Sequence, residues 1–326
     1  MPRMTRTLLA VFLSASTTLA AAPLPGQDAF VAEVAAETGM APALIEAVLA
    51  GARKQQSILD AISRPAEAKP WRDYRPIFLT QARIDGGRRF MREHRDLLAR
   101  TEAATGVPAE VVTAIIGVET SYGAITGRHR VLDALVTLGF HYPPRADFFR
   151  SELKHLFHLV REEEHLDIRE LRGSYAGAMG WGQFIPSSYR AYAVDGDGDG
   201  RRDLFDSLPD IVASVANYFV AHGWERDGLV TLPARSGPDT RPFERDGLRL
   251  NTTLGGLREL GWRVDHEGGD GLAATLLRLD GASGEEHWVL FNNFYVITRY
   301  NRSPLYAMAV HQLTQALAAP GVSGAP

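Results

Sequence analysis

One stretch constrains the fold of this chain more than any other: residues 107–123, Val-Pro-Ala-Glu-Val-Val-Thr-Ala-Ile-Ile-Gly-Val-Glu-Thr-Ser-Tyr-Gly. Pro108 suits the first turn of a helix, where a missing N–H costs nothing. Val111, Val112, Ile115, Ile116 and Val118 make the segment apolar over much of its circumference, which predicts a largely buried helix. Its end carries an acid, Glu119. Apolar surroundings disfavour the charged form of a carboxyl, and the partial negative charge of a helix C-terminus does the same. Glu119 is therefore a candidate general acid, protonated near neutral pH. The competing reading is a helix-end glutamate whose carboxyl simply reaches water.

The 326 residues are 45% hydrophobic and 23% charged, an ordinary globular composition for one large domain or two. A net charge of -4 argues against nucleic acid as a partner. At the N-terminus Arg3 and Arg6 precede an apolar, small-residue run over residues 8–22, with Ala20, Ala21 and Ala22 as cleavage options before Pro23. This is a signal-peptide pattern over residues 1–22, too short and too rich in Ser and Thr for a membrane span. Cysteine is absent. That excludes a disulfide framework, a thiolate zinc site, a Cys nucleophile and a lipid-bearing Cys at the cleavage junction. An exported, soluble, cysteine-free chain fits a bacterial periplasm.

The pattern along the chain is mainly helical. Residues 28–53 read as a helix or helix pair broken at 39–42. Residues 57–73, with Pro65, Pro70, Trp71 and Tyr74, read as an extended arm over a surface. Residues 80–105 return to helical spacing with a solvated charged face. Residues 128–139 offer a short helix, 141–145 a loop because of its two prolines, and 146–165 a helix with Phe148, Phe149, Leu153, Leu156, Phe157 and Val160 inward. Residues 208–222 read as a helix closed by Gly223; Tyr218 within it is expected to face the core. From 228 to 286 the pattern changes to short alternating segments between Gly, Pro and Asp clusters, with one short helix at 254–260. This strand reading extends through 288–291 and 292–300. A turn at 301–303 leads to a closing helix at 304–318, and 321–326 reads as a disordered tail.

Two stretches carry candidate chemistry. Residues 173–189 interleave Gly173, Gly177, Gly180 and Gly182 with Tyr175, Met179, Trp181 and Gln183. Glycines let a backbone approach a ligand closely, aromatic rings stack on the apolar faces of sugars, and Gln183 both donates and accepts. The alternative is a packed turn whose glycines serve chain geometry. In residues 195–206, Asp195, Asp197 and Asp199 fill positions 1, 3 and 5 of an EF-hand-like loop. Gly200 fills position 6, and Arg201 at position 7 offers its backbone carbonyl. Such oxygen donors select calcium over zinc. Position 12 is Asp206 rather than the usual Glu, so Asp210 is the better candidate for the closing ligand. The alternative is a solvated Asp-Gly turn.

Gly117-Val-Glu-Thr-Ser-Tyr-Gly123, Gly177-Ala-Met-Gly-Trp-Gly-Gln-Phe-Ile-Pro-Ser-Ser188 and Asn293-Phe-Tyr-Val-Ile-Thr-Arg-Tyr-Asn301 occur in that order, with the Asp-Gly loop between the last two. Together they resemble the lytic murein transglycosylase B family in its soluble periplasmic form. The resemblance covers roughly residues 28–315. It implies a mainly α (α+β) fold: a lysozyme-like helical catalytic core with a small mixed α/β lobe inserted near the C-terminus. The implied division is signal peptide 1–22, an N-terminal helical region 23–105 packing on the core, the catalytic core 106–227, the lobe and closing helix 228–318, and the tail 319–326. It implies cleavage of the β-1,4 bond between MurNAc and GlcNAc of peptidoglycan without water, leaving 1,6-anhydroMurNAc ends, with Glu119 as the single acid and base. Ser174, Met179 and Gln183 are then expected at the cleavage site, Tyr218 near the acid, Tyr300, Asn301 and Tyr306 closing the groove, and Arg145 on a peptide or lactyl carboxylate. The Asp-Gly loop resembles the family's structural calcium site, with Asp195, Asp197, Asp199, Arg201 and Asp210 as ligands and no organic cofactor. Peptidoglycan strands are the implied partner, with cell-wall synthesis enzymes as a further one, for a monomer. Two alternatives stay open: a water-using muramidase, and a non-catalytic calcium-dependent peptidoglycan-binding module.

Overall fold

The structure is a computed structural model and describes residues 24–63 and 69–320. The expected signal peptide and the tail from 321 lie outside the described residues, as do residues 64–68 within the expected arm. The chain forms two compact units, Met1–Gly51 and Ala52–Pro326. The first holds α1 (Gln27–Thr38) and α2 (Pro42–Ala50), which pack on each other. Gly39, at φ 69°, ends α1 in the left-handed conformation that glycine adopts without penalty. Phe30, Val31, Val34, Ile45, Val48 and Leu49 are buried.

The second unit contains α3 (Gln56–Ile62), α4 (Trp71–Phe78), α5 (Gln81–Glu93), α6 (Arg95–Thr105), α7 (Ala109–Thr120), α8 (Val131–His141), α9 (Ala146–Glu162), α10 (Pro186–Tyr192) and α11 (Leu208–Ala221). After these come α12 (Leu254–Glu259), α13 (Asn292–Tyr300) and α14 (Pro304–Ala318). Its strands are β1 (His129–Arg130), β2 (Arg172–Gly173), β3 (Thr231–Arg235), β4 (Thr252–Thr253), β5 (Arg263–Val264), β6 (Ala273–Gly281) and β7 (Gly284–Leu290). The architecture is mainly α with a mixed lobe.

The helix over the 107–123 stretch is α7, and nine of its twelve residues are buried. A helix apolar all round needs neighbours on every side; α14, α5, α6 and α11 provide them. Beside this group α8 packs on α9, and α9 on α10. The lobe is an antiparallel sheet in the order β4-β6-β7-β3-β5. Its own core joins Ala234, Leu254, Leu257, Trp262, Ala274, Leu276, Val289 and Phe291. An ion pair between Arg72 and Asp280 ties α4 to β6.

Two expectations are corrected. The extended arm at 57–73 is instead α3 and the start of α4: Ile58 is buried in α3, Trp71 and Tyr74 in α4. Pro70 is the N-cap of α4 rather than a mark of extended chain. Residues 292–300, read as strand, form α13. The β-branched and aromatic content suggested strand. Burial of Asn293, Phe294, Ile297 and Thr298, at helical spacing, decides otherwise. The buried Asn293 side chain then accepts from Glu225 N (2.9 Å) and donates to Glu225 O (2.8 Å) and Gly228 O (2.9 Å), pinning the entry to the lobe against α13.

Candidate active site

The catalytic candidate is placed by the way α7 ends. Ser121 (φ 50°) and Tyr122 (φ 62°) are both left-handed, followed by Gly123 at φ 82°. This reversal folds the Tyr122 ring back along α7 into a slot lined by Gly86 and Gly87 of α5 and by Gly117. A Cβ on Gly117 would lie 2.6 Å from the Tyr122 hydroxyl. The Tyr122 hydroxyl donates to Arg83 O (2.8 Å). The Arg83 guanidinium in turn donates to Gly117 O (2.9 Å) and Ser121 Oγ (3.2 Å), satisfying acceptors at the helix end. A Cβ on Gly123 would collide with the Trp181 ring, so the turn and the glycine-aromatic loop are in direct contact. Thr120 Oγ1 donates to Trp181 O (3.0 Å) and accepts from Gly123 N (3.1 Å), locking the two together.

Glu119 is half-buried at the end of α7, with its carboxyl set among protein groups. The Tyr306 hydroxyl of α14 donates to Oε1 at 2.5 Å. Burial pushes the carboxyl up from its ordinary 4.5 to about 7, against the opposing pull of the Tyr306 hydrogen bond. Tyr300, at the end of α13, donates to Gly182 O (2.6 Å). Burial and the facing Glu119 carboxyl hold the Tyr300 and Tyr306 phenols well above their ordinary value, so both stay protonated donors.

A cavity of about 930 Å³ is walled by Gln183, Phe184, Tyr192, Tyr218, Arg299, Tyr300 and Arg145, and Tyr300, which feels the Glu119 charge, is the residue that links this cavity to the carboxyl. Gln183 sits at φ 52°, and its Nε2 donates to Thr126 O (3.0 Å) and Gly180 O (2.9 Å). Ser174 Oγ accepts from Ala176 N (3.2 Å) and Ala178 N (3.1 Å), bracing the same loop. Asn301 Oδ1 accepts from Ser303 N (3.0 Å) in the turn that leads to α14. Tyr218 is packed as expected of a core residue, its hydroxyl donating to Arg299 O (2.6 Å). It also stands beside the acid's neighbour, ring centroid 4.7 Å from that of Tyr300. Arg145 is exposed, with its guanidinium 4.4 Å above the Phe148 ring. Met179 is the correction here. Its side chain is fully buried, held between bridges to Gly173 and Phe184, and presents no surface to a sugar.

The acidic loop gathers carboxylate oxygens of Asp195, Asp197 and Asp210 within 4.8 Å of one another; Asp199 is not in that group. Asp210, in the first turn of α11, is buried and accepts from Gly196 N and Asp203 N, both at 2.7 Å. Asp199 Oδ1 accepts from Arg201 N (2.8 Å). Sequence reasoning did not single out Arg83, Tyr192, Phe184 or Arg299. Only distance along the chain hid Arg83, since its role depends on α5 lying against α7. Helix α10 was also missed, although Pro186 at its first position is a local start signal.

Residues 25–315 match the family described as the transglycosylase SLT domain. The chain is 39% identical over 304 residues to the membrane-bound lytic murein transglycosylase B of Escherichia coli (strain K12), covering 90% of this chain and 83% of that one. It is similar to the solved soluble lytic transglycosylase SltB1 of Pseudomonas aeruginosa, with 48% identity and a TM-score of 0.83 over 90% of this chain and 98% of that one. It is also similar to Escherichia coli Slt35, solved in complex with calcium, with 39% identity and a TM-score of 0.82 over 90% and 93% of the respective chains.

Proposed function

Since this chain belongs to the transglycosylase SLT family and is a lytic transglycosylase of peptidoglycan, we propose that Glu119 is its single acid and base. The observation that carries this reading is a carboxyl held near pKa 7 by burial, with one neutral donor, Tyr306, on it. Such a group can give and take a proton at neutral pH. Protonated Glu119 donates to the oxygen linking MurNAc to GlcNAc as the MurNAc C1–O bond breaks, and GlcNAc leaves as an alcohol. The Tyr306 hydroxyl then stabilises the carboxylate left behind. The C6 hydroxyl of the same MurNAc attacks C1, and Glu119 takes its proton. One C–O bond is broken, one is formed, no water is consumed, and Glu119 is again protonated. Glycosidases of the usual kind need two carboxylates. Here the nucleophile is tethered to the reacting carbon, so effective molarity replaces a second activated group. The buried Glu152 is committed elsewhere, accepting from Ser187 N (3.0 Å) and Ser187 Oγ (2.8 Å).

In this reading Gln183, Ser174, Tyr300 and Asn301 shape the cleavage site, Tyr218 backs it, and Arg145 stands at the groove wall to meet a carboxylate. Asp195, Asp197 and Asp210 fit a hard cation: all are oxygen donors, and like charges so close repel unless neutralised. They would hold calcium, with Asp199 and the Arg201 carbonyl as the further ligands. Neutralising this loop and tying it to α11 is the chemistry the ion supplies when bound. The signal pattern supports export to the periplasm, and among the described residues no helix is long and apolar enough to cross a membrane.

Digestion of purified sacculi tests the assignment. The expected new glycan ends are 1,6-anhydro, lighter by one water than reducing ends, and Glu119→Gln makes neither. Reducing ends would establish a muramidase instead, and cleavage retained in Glu119→Gln would remove this residue from the mechanism.

A further inference from the structure

A second cavity, of about 480 Å³, is walled by Arg53, Gln55, Ser57, Arg128, His129, Arg130, Asp133 and Arg172. Four arginines face one carboxylate there, a formal balance of +3 in a chain whose net charge is -4. That carboxylate is already spent. Asp133 is buried and accepts from Arg53 N (2.9 Å), and Arg130 forms its ion pair at 2.8 Å. Arg53, Arg128 and Arg172 are exposed; none of them is in an ion pair among the described residues, and Arg172 donates to Arg128 O (3.1 Å). Uncompensated like charges held around a concavity cost stability, and an anion of matching shape removes that cost.

The cavity is built on the frame of the cleavage loop. Strands β1 and β2 pair His129 with Gly173 and Arg130 with Arg172, and β2 runs directly into Ser174. Gln183 Nε2 is bonded to Thr126 O, at the other end of the same short segment. The β1–β2 pair thus joins the residues that hold such a ligand to the loop that carries Ser174. We propose that the Arg53–Arg128–Arg130–Arg172 cavity is an anion-binding subsite that takes the carboxylates of a peptide branch carried by the glycan strand. This rests on the peptidoglycan reading above and extends it to a part of the substrate remote from the cleaved bond. Guanidinium groups suit the class, since each offers a planar fork of donors that matches a carboxylate.

The test is cleavage of two substrates by wild type and by the double variant Arg53→Gln/Arg172→Gln: glycan strands that keep their peptides, and strands stripped of them by an amidase. For peptide-bearing strands the variant should show KM raised about five- to tenfold with kcat unchanged, and the difference should shrink as salt rises. On stripped strands variant and wild type should coincide. Calorimetric titration of Glu119→Gln, with and without the two arginine changes, reads binding of the peptide-bearing strand without turnover and should show the same loss. Titration with inorganic phosphate separates a generic anion site. If phosphate binding is lost in the variant while the two strand types are affected alike, the peptide assignment is overturned. Equal KM for variant and wild type on peptide-bearing strands also overturns it, and leaves the Glu119 mechanism standing. Failure of the wild type to cleave either strand would instead overturn the enzymatic reading.

Discussion

At Glu119 two effects oppose each other, and their sizes decide the outcome. A single hydrogen bond from the Tyr306 hydroxyl to the charged carboxylate contributes about 1.5–3 kcal/mol in its favour, yet the rise from 4.5 to about 7 still leaves roughly 3 kcal/mol net against it. Burial wins. Removing the hydroxyl in Tyr306→Phe leaves burial unopposed, so the acid form should persist to higher pH. The alkaline limb of the pH–rate profile should move up by about one to two units, with kcat lowered because the carboxylate formed loses its donor. The same raised value makes a stability statement. Between pH 4.5 and about 7 the folded protein keeps a proton that the unfolded chain has released. The contribution of Glu119 to stability is therefore best below pH 4.5 and worsens as pH rises to about 7, reaching ~3 kcal/mol at most. Glu119→Gln should abolish glycan cleavage, by about 10³-fold or more, and should melt higher than wild type at pH 8 but not at pH 4. Equal melting differences at both pH values would contradict a neutral, buried acid.

Among the elements, α7 is aimed by what caps it. Its last turn ends in two consecutive left-handed non-glycine residues, Ser121 and Tyr122, a conformation that costs of order 1 kcal/mol or more each. Arg83 from α5 and the glycine slot around the Tyr122 ring hold it there. Arg83→Met keeps the length of the side chain and removes the donors to Gly117 O and Ser121 Oγ. Gly117 O keeps its bond from Ser121 N, but Ser121 Oγ and the carbonyls of Ile77 and Phe78 lose their Arg83 donor as well, so stability should fall by about 1–3 kcal/mol. Because Glu119 lies between Gly117 and Ser121, kcat should fall while KM stays close to wild type. A melting temperature unchanged from wild type would show that the cap is dispensable. The α13–turn–α14 segment faces this end, carrying Tyr306, which bonds the Glu119 carboxyl, and Tyr300, which bonds Gly182 O, on either side of the Asn301 turn. This is why its helical form matters to function: as a strand it would carry Tyr300 on a different face and spacing.

For the molecule as a whole, the acidic loop tests whether calcium holds structure or chemistry. Its carboxylates engage α11 through Asp210 and the loop backbone, and none of their hydrogen bonds reaches Glu119. Chelation should therefore lower the melting temperature by several degrees while turnover at low temperature changes little. Asp195→Asn/Asp197→Asn should reproduce the loss and no longer respond to chelator, whereas equal, immediate loss of turnover and stability would contradict a structural role. Local patterns in the chain sufficed for what depends on near neighbours. The apolar run of α7 with an acid at its end, the helix of residues 208–222 with Gly223 after it, the strand pattern of the lobe and the spacing of the acidic loop are all short-range, so composition and period settle them. Helices α3, α4 and α13 were misread because their residues carry the local marks of extended chain, and only long-range burial tips them to helix. The closeness of Tyr306 to Glu119, 187 positions apart, and the arginine cap from α5 belong to the tertiary structure alone. So does the exclusion of Met179 from the groove, because which side of a turn is covered depends on the neighbours that fold against it. A carboxyl's pKa is decided the same way, by atoms that no stretch of sequence holds together.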